Sequence, residues 1–175
     1  MTGNPEFMRV ISDMIERLPN TPAIVINAAG DVLAGNDLAH ELFIEFTVRG
    51  NLNRMVFLDP AAHYCDAAWT SQARDCLRSL REAYQYSHDP AVDEVVSDLL
   101  RSSASFRVMW TAQEWNQHDR SARIFHHPEM GPLIVDEVRL VSAANPELIL
   151  IAFVPRPGSP SDDSLRLLAT LQVSP

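Results

Sequence analysis

Histidine and cysteine are the side chains of this chain that could bind a transition metal, with six of the first and two of the second among 175 residues. His126 and His127 are adjacent in a segment of alternating hydropathy, and neighbouring residues of a strand point to opposite faces. His63 and Cys65 stand two apart on a predicted helix, where side chains do not face each other. The spacing therefore predicts no metal site.

Nucleophilic and phosphate chemistry lack their usual patterns in this sequence. There is no Gly-x-Ser-x-Gly elbow, no His-Glu-x-x-His and no glycine-rich phosphate loop. All 14 basic residues are arginine, so Schiff-base chemistry, PLP attachment and a P-loop nucleotide site are excluded. We therefore predict that the protein is not an enzyme, with no catalytic residues and no cofactor.

The charge balance is acidic, with 23 Asp and Glu against 14 Arg and a net charge of −9. Such a chain repels phosphate backbones, so we expect no nucleic-acid contact by this segment itself. No apolar run reaches the roughly 18 residues of a membrane span, and Met1 to Phe7 lacks the apolar region of a signal peptide, so none is predicted. Cys65 and Cys76 are predicted to be reduced thiols of a cytoplasmic protein.

The predicted organisation has three parts. Residues 1–7 look like a vector-derived remnant before Met8. Residues 8–20 form a linker or dimerisation helix that ends at Pro19, and residues 21–172 form one domain.

Hydrophobic periodicity and turn residues predict the elements in order. Gly30 is expected to supply a positive φ in the turn of an N-terminal hairpin, and Asn36 and Asp59-Pro60 are predicted helix starts. The predicted strands cover 23–26, 32–34, 121–127, 133–141 and 148–154, and the predicted helices cover 8–18, 36–46, 51–58, 61–85, 90–100, 103–111 and one from 159.

Two strands, a helical section and three returning strands is the element order of a PAS-type sensor fold. We therefore predict an α+β fold, PAS-like, with a five-stranded antiparallel sheet and helices across one face. GAF domains and other α+β folds share this order and remain alternatives.

Several segments, in order and covering roughly residues 8–172, resemble the C-terminal ligand-binding domain of MmyB-like transcription regulators, which are actinobacterial proteins. The ordered set is more specific than any one segment. The segments are Thr21-Pro-Ala-Ile-Val-Ile-Asn27, Asp31-Val-Leu-Ala-Gly-Asn36, Asn51-Leu-Asn-Arg-Met-Val-Phe-Leu-Asp-Pro-Ala61, Trp69-Thr-Ser-Gln-Ala-Arg74, Leu77-Arg-Ser-Leu-Arg81, Phe106-Arg-Val-Met-Trp110, His127-Pro-Glu-Met-Gly131 and Pro157-Gly-Ser-Pro160.

The resemblance implies a PAS-like domain that binds an apolar small molecule, with fatty acids as the suggested class, and that controls transcription. It implies an XRE-type helix-turn-helix in front of Met8, which would make the DNA contacts. The sequence departs from the family at Gly30 and Gly35, where aromatic residues are usual, and at Trp115.

Six residues are predicted to bind the ligand, and the first two are polar. Asn36 could bond a head group, or it could simply cap a helix. Arg54 could pair with a ligand carboxylate, or it could form a structural ion pair with one of the acids.

The other four are Phe57, Phe106, Trp110 and His127. The aromatic residues, with Trp69 beside them, could line an apolar cavity or fill a core, because both need the same residues. His127 could fix the turn before Gly131 or line the edge of the pocket.

Two functions follow from these observations. The first is a ligand-sensing effector domain of a transcription regulator, acting through a DNA-binding domain absent from this chain. The alternative is a PAS-like interaction or dimerisation module with a filled core and no ligand, in which the N-terminal helix would be the element of a homodimer.

Overall fold

A computed structural model describes residues 5–64, 66–87, 89–112 and 122–172. The strands are β1 (Ala23–Ile26), β2 (Val32–Gly35), β3 (Arg123–His127), β4 (Gly131–Val141) and β5 (Ile149–Pro155). The helices are α1 (Pro5–Glu16), α2 (Asp37–Leu42), α3 (Leu52–Leu58), α4 (Asp66–Tyr86), α5 (Pro90–Ser102), α6 (Ala104–Thr111) and α7 (Pro160–Gln172), with a 3-10 helix at Pro60–Tyr64.

The chain divides into two compact units. The sheet unit holds the described residues of Met1–Ile26, Val32–Glu45 and Ala122–Pro175. The helical unit holds those of Asn27–Asp31 and Phe46–Ser121.

In the sheet unit, five antiparallel strands lie in the order β2-β1-β5-β4-β3. The predicted PAS-like α+β class with a five-stranded antiparallel sheet is confirmed. Chain order and sheet order differ at the centre, where β5 returns between β1 and β4, pairing Ile24 with Ile151 and Val138 with Ala152.

The two faces of this sheet differ in burial. Along β4, Leu133 and Val135 are buried, whereas Ile134 between them is exposed. On the buried face, Phe43, Phe125 and Phe153 meet edge to face, with ring centroids 5.3–5.6 Å apart. Edge-to-face contacts of this kind stabilise a core beyond the area they bury.

Three helix boundaries differ most from the prediction. Helix α1 begins at Pro5, so Phe7 is helical and packs against the cluster around Ile15. The helix predicted to reach Phe46 ends at Leu42, since Phe46 is buried in the helical unit instead.

The third boundary is the long helix predicted at 61–85. A 3-10 helix precedes α4 there, and Cys65, between them, lies outside the described residues. The carboxylate of Asp59 accepts hydrogen bonds from the backbone N–H groups of Ala61, Thr47 and Val48. It therefore holds a loop as well as a helix start.

Asn36 caps its helix as predicted, and Asn51, Asp89 and Ser103 cap theirs in the same way. Each of the four side chains accepts a backbone N–H of the helix that follows. Gly30 has a φ of 86° in the hairpin turn, as predicted. Cys76 is a buried thiol of α4.

Candidate functional site

Five aromatic rings of the helical unit form a continuous row. Phe57 and Phe106 meet edge to face at 4.9 Å, and Phe106 stacks on Trp110 at 5.2 Å with an interplanar angle of 23°. Trp69 extends the row from Phe57 at 6.3 Å, and Tyr84 extends it from Trp110 at 5.7 Å. We call this set the aromatic row. It joins α3, α4 and α6 through apolar surface.

Two polar groups along the aromatic row are bonded to main chain. The indole N–H of Trp69 donates to the carbonyl of Val56 at 2.8 Å. Beside Trp110, the guanidinium of Arg81 lies 4.8 Å above the indole ring and donates to the Trp110 carbonyl. Burial lowers the pKa of Arg81, and its cation–π contact with Trp110 partly offsets the lost hydration.

Arg54 forms the structural ion pair that was one of its two predicted roles. Its Nε lies 2.8 Å from a carboxylate oxygen of Asp98, and its Nη2 lies 3.7 Å from Glu94. Arg101 also pairs with Asp98 at 2.8 Å. The hydrogen bond from Arg54, with the charges of Arg54 and Arg101, holds the pKa of Asp98 below its usual value despite partial burial.

The segment from Asn51 to Ala61 is hydrogen-bonded to the hairpin turn. Asn51 donates to the Ala29 carbonyl at 3.1 Å and to the Asp31 carboxylate at 2.8 Å. Asn53 donates to the same Ala29 carbonyl at 2.9 Å. A Cβ added to Gly30 would stand 2.3 Å from the Asn53 amide nitrogen. The glycine at the family's aromatic position is therefore required by this close approach.

Asn36 in the sheet unit uses its whole amide group within the protein. Its Oδ1 accepts the backbone N–H groups of Ala23 and Ala39, both at 3.0 Å. Its Nδ2 donates to the carbonyls of Ile15 and Thr21, at 3.1 and 2.9 Å. The predicted cap is therefore confirmed, and the same side chain ties together α1, β1 and α2.

His127, also in the sheet unit, is buried and bonded at both ring nitrogens. Its Nδ1 accepts the backbone N–H groups of Glu129 and Met130 at 3.2 Å. Because Nδ1 accepts, Nε2 carries a proton and donates to Glu41 of α2 at 3.1 Å. The side chain fixes the turn before Gly131, which was one of its predicted roles.

Sequence reasoning missed a buried charge cluster on β3 and β4. Glu137 accepts hydrogen bonds from the Nε atoms of Arg123 at 2.7 Å and Arg139 at 2.5 Å. The side chains of Glu137 and Arg123 are only 6% and 4% exposed. The signal was present, because residues 133, 135, 137 and 139 share one face of a strand and the first two are apolar.

Burial alone would raise the pKa of Glu137. The positive charges of Arg139 and Arg123, and the hydrogen bonds from both, outweigh that effect and hold the pKa below its usual value. Glu137 is therefore ionised at neutral pH, as the anion between two guanidinium groups.

The structure thus brings four of the six predicted site residues into one unit. Arg54, Phe57, Phe106 and Trp110 belong to the helical unit, and Asn36 and His127 belong to the sheet unit. Trp115 lies outside the described residues.

Two surface cavities are found in the sheet unit. One of about 290 Å³ has a mixed polar and apolar lining and lies beside Asn36, lined by Glu16 to Asn20, Asp37, Leu38 and Ala169. The other, about 240 Å³, is an apolar groove between α1 and the adjoining ends of β4 and β5.

Within the described ranges, no three His, Cys, Asp or Glu side chains cluster in a way that could hold a metal ion. No helix in the same part of the chain is long and apolar enough to cross a membrane.

A family model described as the MmyB-like transcription regulator ligand binding domain matches residues 8–168. No curated protein matches the chain at a significant level.

Proposed function

The chain belongs to the MmyB-like transcription regulator ligand-binding domain family, and from this we propose that it senses an apolar, fatty-acid-like molecule for a transcription regulator. Membership makes it a ligand-sensing regulatory domain with a small-molecule ligand and a DNA-binding partner. The match over residues 8–168 carries the proposal, because it spans both units rather than one segment.

The aromatic row supports an apolar ligand. Phe57 and Phe106 are buried, and Trp110 is partly accessible, so the row has an accessible end. Each ligand methylene that leaves water for such a surface contributes about 0.8 kcal/mol. A long acyl chain therefore gains affinity with its length, which favours fatty-acid-like molecules over small polar ones.

Arg54 is the proposed partner of the ligand's carboxylate. Its guanidinium donates to Asp98 through Nε, and its other N–H groups are the proposed donors to the two oxygens of the ligand carboxylate.

The proposed relay is thermodynamic: a ligand that prefers one arrangement of the domain shifts its population, and the shift reaches the DNA-binding segment.

Ligand binding can be tested on the purified chain. We expect mass spectrometry of its solvent extract to show a copurifying lipid, and palmitate to change the tryptophan fluorescence at micromolar concentrations. No copurifying molecule and no response to palmitate would contradict the sensor proposal. That result would favour the alternative, a dimerisation module with a filled core.

Two matched pairs of variants locate the site. Trp110→Ala should weaken palmitate binding about tenfold or more, whereas Tyr86→Ala, at an exposed aromatic of α4, should not change it. Arg54→Gln should remove the preference for palmitate over its methyl ester, whereas Arg101→Gln, which loses a contact with the same Asp98, should keep it. Equal effects of the two arginine substitutions would remove Arg54 from the site.

A further inference from the structure

An apolar stripe remains exposed on one face of the sheet unit. Residues 134, 136, 138 and 140 of β4 share this face, and all of them except Asp136 are apolar. The register with β5 sets Val154 beside Asp136, so Val154 continues the stripe sideways. We call it the outer stripe; its six members are 38–54% exposed and are Val10, Met14, Ile134, Val138, Leu140 and Val154.

Helix α1 covers only part of this face. Ile11 and the aromatic Phe7 pack towards the cluster that contains Val25. The apolar groove runs between this helix and β4, with Met14 on one wall and Leu140 on the other. The helix ridge and the strand ridge therefore form one continuous apolar surface with a cleft along it.

The area and self-complementary form of this surface argue for a second copy of the chain. Six half-exposed aliphatic side chains present on the order of 500 Å² of apolar surface, near the largest patch that monomeric proteins leave in water. With a polar rim, this approaches the roughly 800 Å² per partner of a standard interface. We propose that the outer stripe is a homodimer interface in which the α1 ridge of each copy packs against the β4 stripe of the other. This proposal does not depend on ligand binding.

Charge at the margins of the stripe supports a symmetric pairing. Arg17 follows the α1 ridge, and Asp136 lies within the β4 stripe; both are exposed. Among the described residues, neither forms an ion pair, whereas Arg9 is paired with Asp13 along the helix. When the α1 ridge of one copy packs on the β4 stripe of the other, Arg17 of each copy comes towards Asp136 of its partner. In a two-fold dimer this contact occurs twice.

Matched leucine substitutions test the interface in the purified chain. Leu140 is 54% exposed in the stripe, and Leu171 of α7 is 55% exposed outside it. We expect sedimentation equilibrium to show a dimer, Leu140→Asp to weaken its association about a hundredfold or more, and Leu171→Asp to leave it unchanged. Unchanged circular dichroism would show that both variants fold.

Charge reversal tests the pairing itself. Arg17→Glu and Asp136→Arg should each weaken the dimer several-fold, and the double variant should recover the affinity because the opposite pair is restored. A monomeric wild-type chain would overturn the proposal and mean that a different partner covers the stripe. A dimer that survives Leu140→Asp but not Leu171→Asp would overturn it in favour of α7.

Discussion

The sheet unit and the helical unit each hold an arginine–carboxylate cluster, and the two clusters differ in exposure. In the sheet unit, Glu137 between Arg123 and Arg139 is almost fully buried. In the helical unit, the side chains of Arg54 and Asp98 are 26% and 23% exposed and Glu94 is 78% exposed.

Exposure decides what each cluster does for stability. Removing one partner of a buried pair leaves an unpaired charge in a medium that solvates it poorly. When one partner of a partly exposed pair is removed, water solvates the remaining charge, so the loss of stability is small. The same residue types therefore make the sheet unit sensitive to charge and leave the charges of the helical unit available for a ligand.

The largest predicted effect is at Glu137. Glu137→Ala leaves the buried Arg123 and the partly buried Arg139 beside each other without their anion, and should lower the free energy of unfolding by about 3–5 kcal/mol. Guanidinium chloride denaturation measures it, with Glu94→Ala as the exposed control that should cost less than about 0.5 kcal/mol. A small loss at Glu137 would mean that exposure does not separate the clusters.

The next largest predicted effect is at Asn36, a buried neutral residue of the sheet unit. Asn36→Ala removes a side chain that makes four hydrogen bonds and leaves the carbonyls of Ile15 and Thr21 with fewer donors. We expect a loss of about 2–3 kcal/mol. Asn36→Asp keeps one accepting oxygen but sets a second acceptor against both carbonyls in a buried site, so in the same denaturation series it should lose at least as much stability as Asn36→Ala.

In the helical unit, packing should matter more than charge. Gly30→Ala places a Cβ against Asn53 at a positive φ, and we expect a loss of about 2 kcal/mol. Gly50→Ala is a matched control, because Gly50 has a φ of 82° but nothing within 4 Å of the added carbon. The difference between the two variants isolates the contact with Asn53 from backbone strain, and equal losses would contradict the contact.

Protonation offers a milder way to weaken the buried cluster. The pKa of Glu137 is lowered on folding, so its contribution is complete above its ordinary value of 4.5 and is lost as pH falls through the lower folded value. Stability of the wild type should therefore fall below about pH 4.5 more steeply than that of Glu137→Gln. Parallel curves for the two proteins would show that Glu137 does not carry the pH dependence.

The smallest predicted effect is at Arg54. Arg54→Ala should cost at most about 1 kcal/mol, and raising the salt concentration should shrink that cost, because the pair is partly exposed to water. Salt should hardly change the cost of Glu137→Ala. A salt-insensitive loss of several kcal/mol at Arg54 would make it a structural residue like Arg123.

Local chemistry accounts for the part of the fold that was predictable. Pairs such as Asp89-Pro90, and caps such as Ser103, mark helix starts through contacts within four residues. Alternation along β4 marks a strand with one covered face. The same reasoning was wrong at Phe46. Helical spacing continues from α2 to this residue, but Phe46 belongs to the helical unit and is buried there.

The candidate site was predictable only in its residue types. Phe57, Phe106 and Trp110 were chosen for their size, and the structure adds that their rings touch. Asn36 and Arg54 each had a binding role and a structural role open. Only their contacts in the folded protein showed that Asn36 caps a helix and that Arg54 forms an ion pair.

By itself the sequence determined the element order, the caps, the family and the kinds of side chain available, since these depend on neighbours along the chain. Tertiary structure alone decided that Glu137 is enclosed by two arginines, that Gly30 has no room for a side chain and that the outer stripe stays bare. Those outcomes depend on which surfaces exclude water, and exclusion of water is settled by residues far apart in the chain.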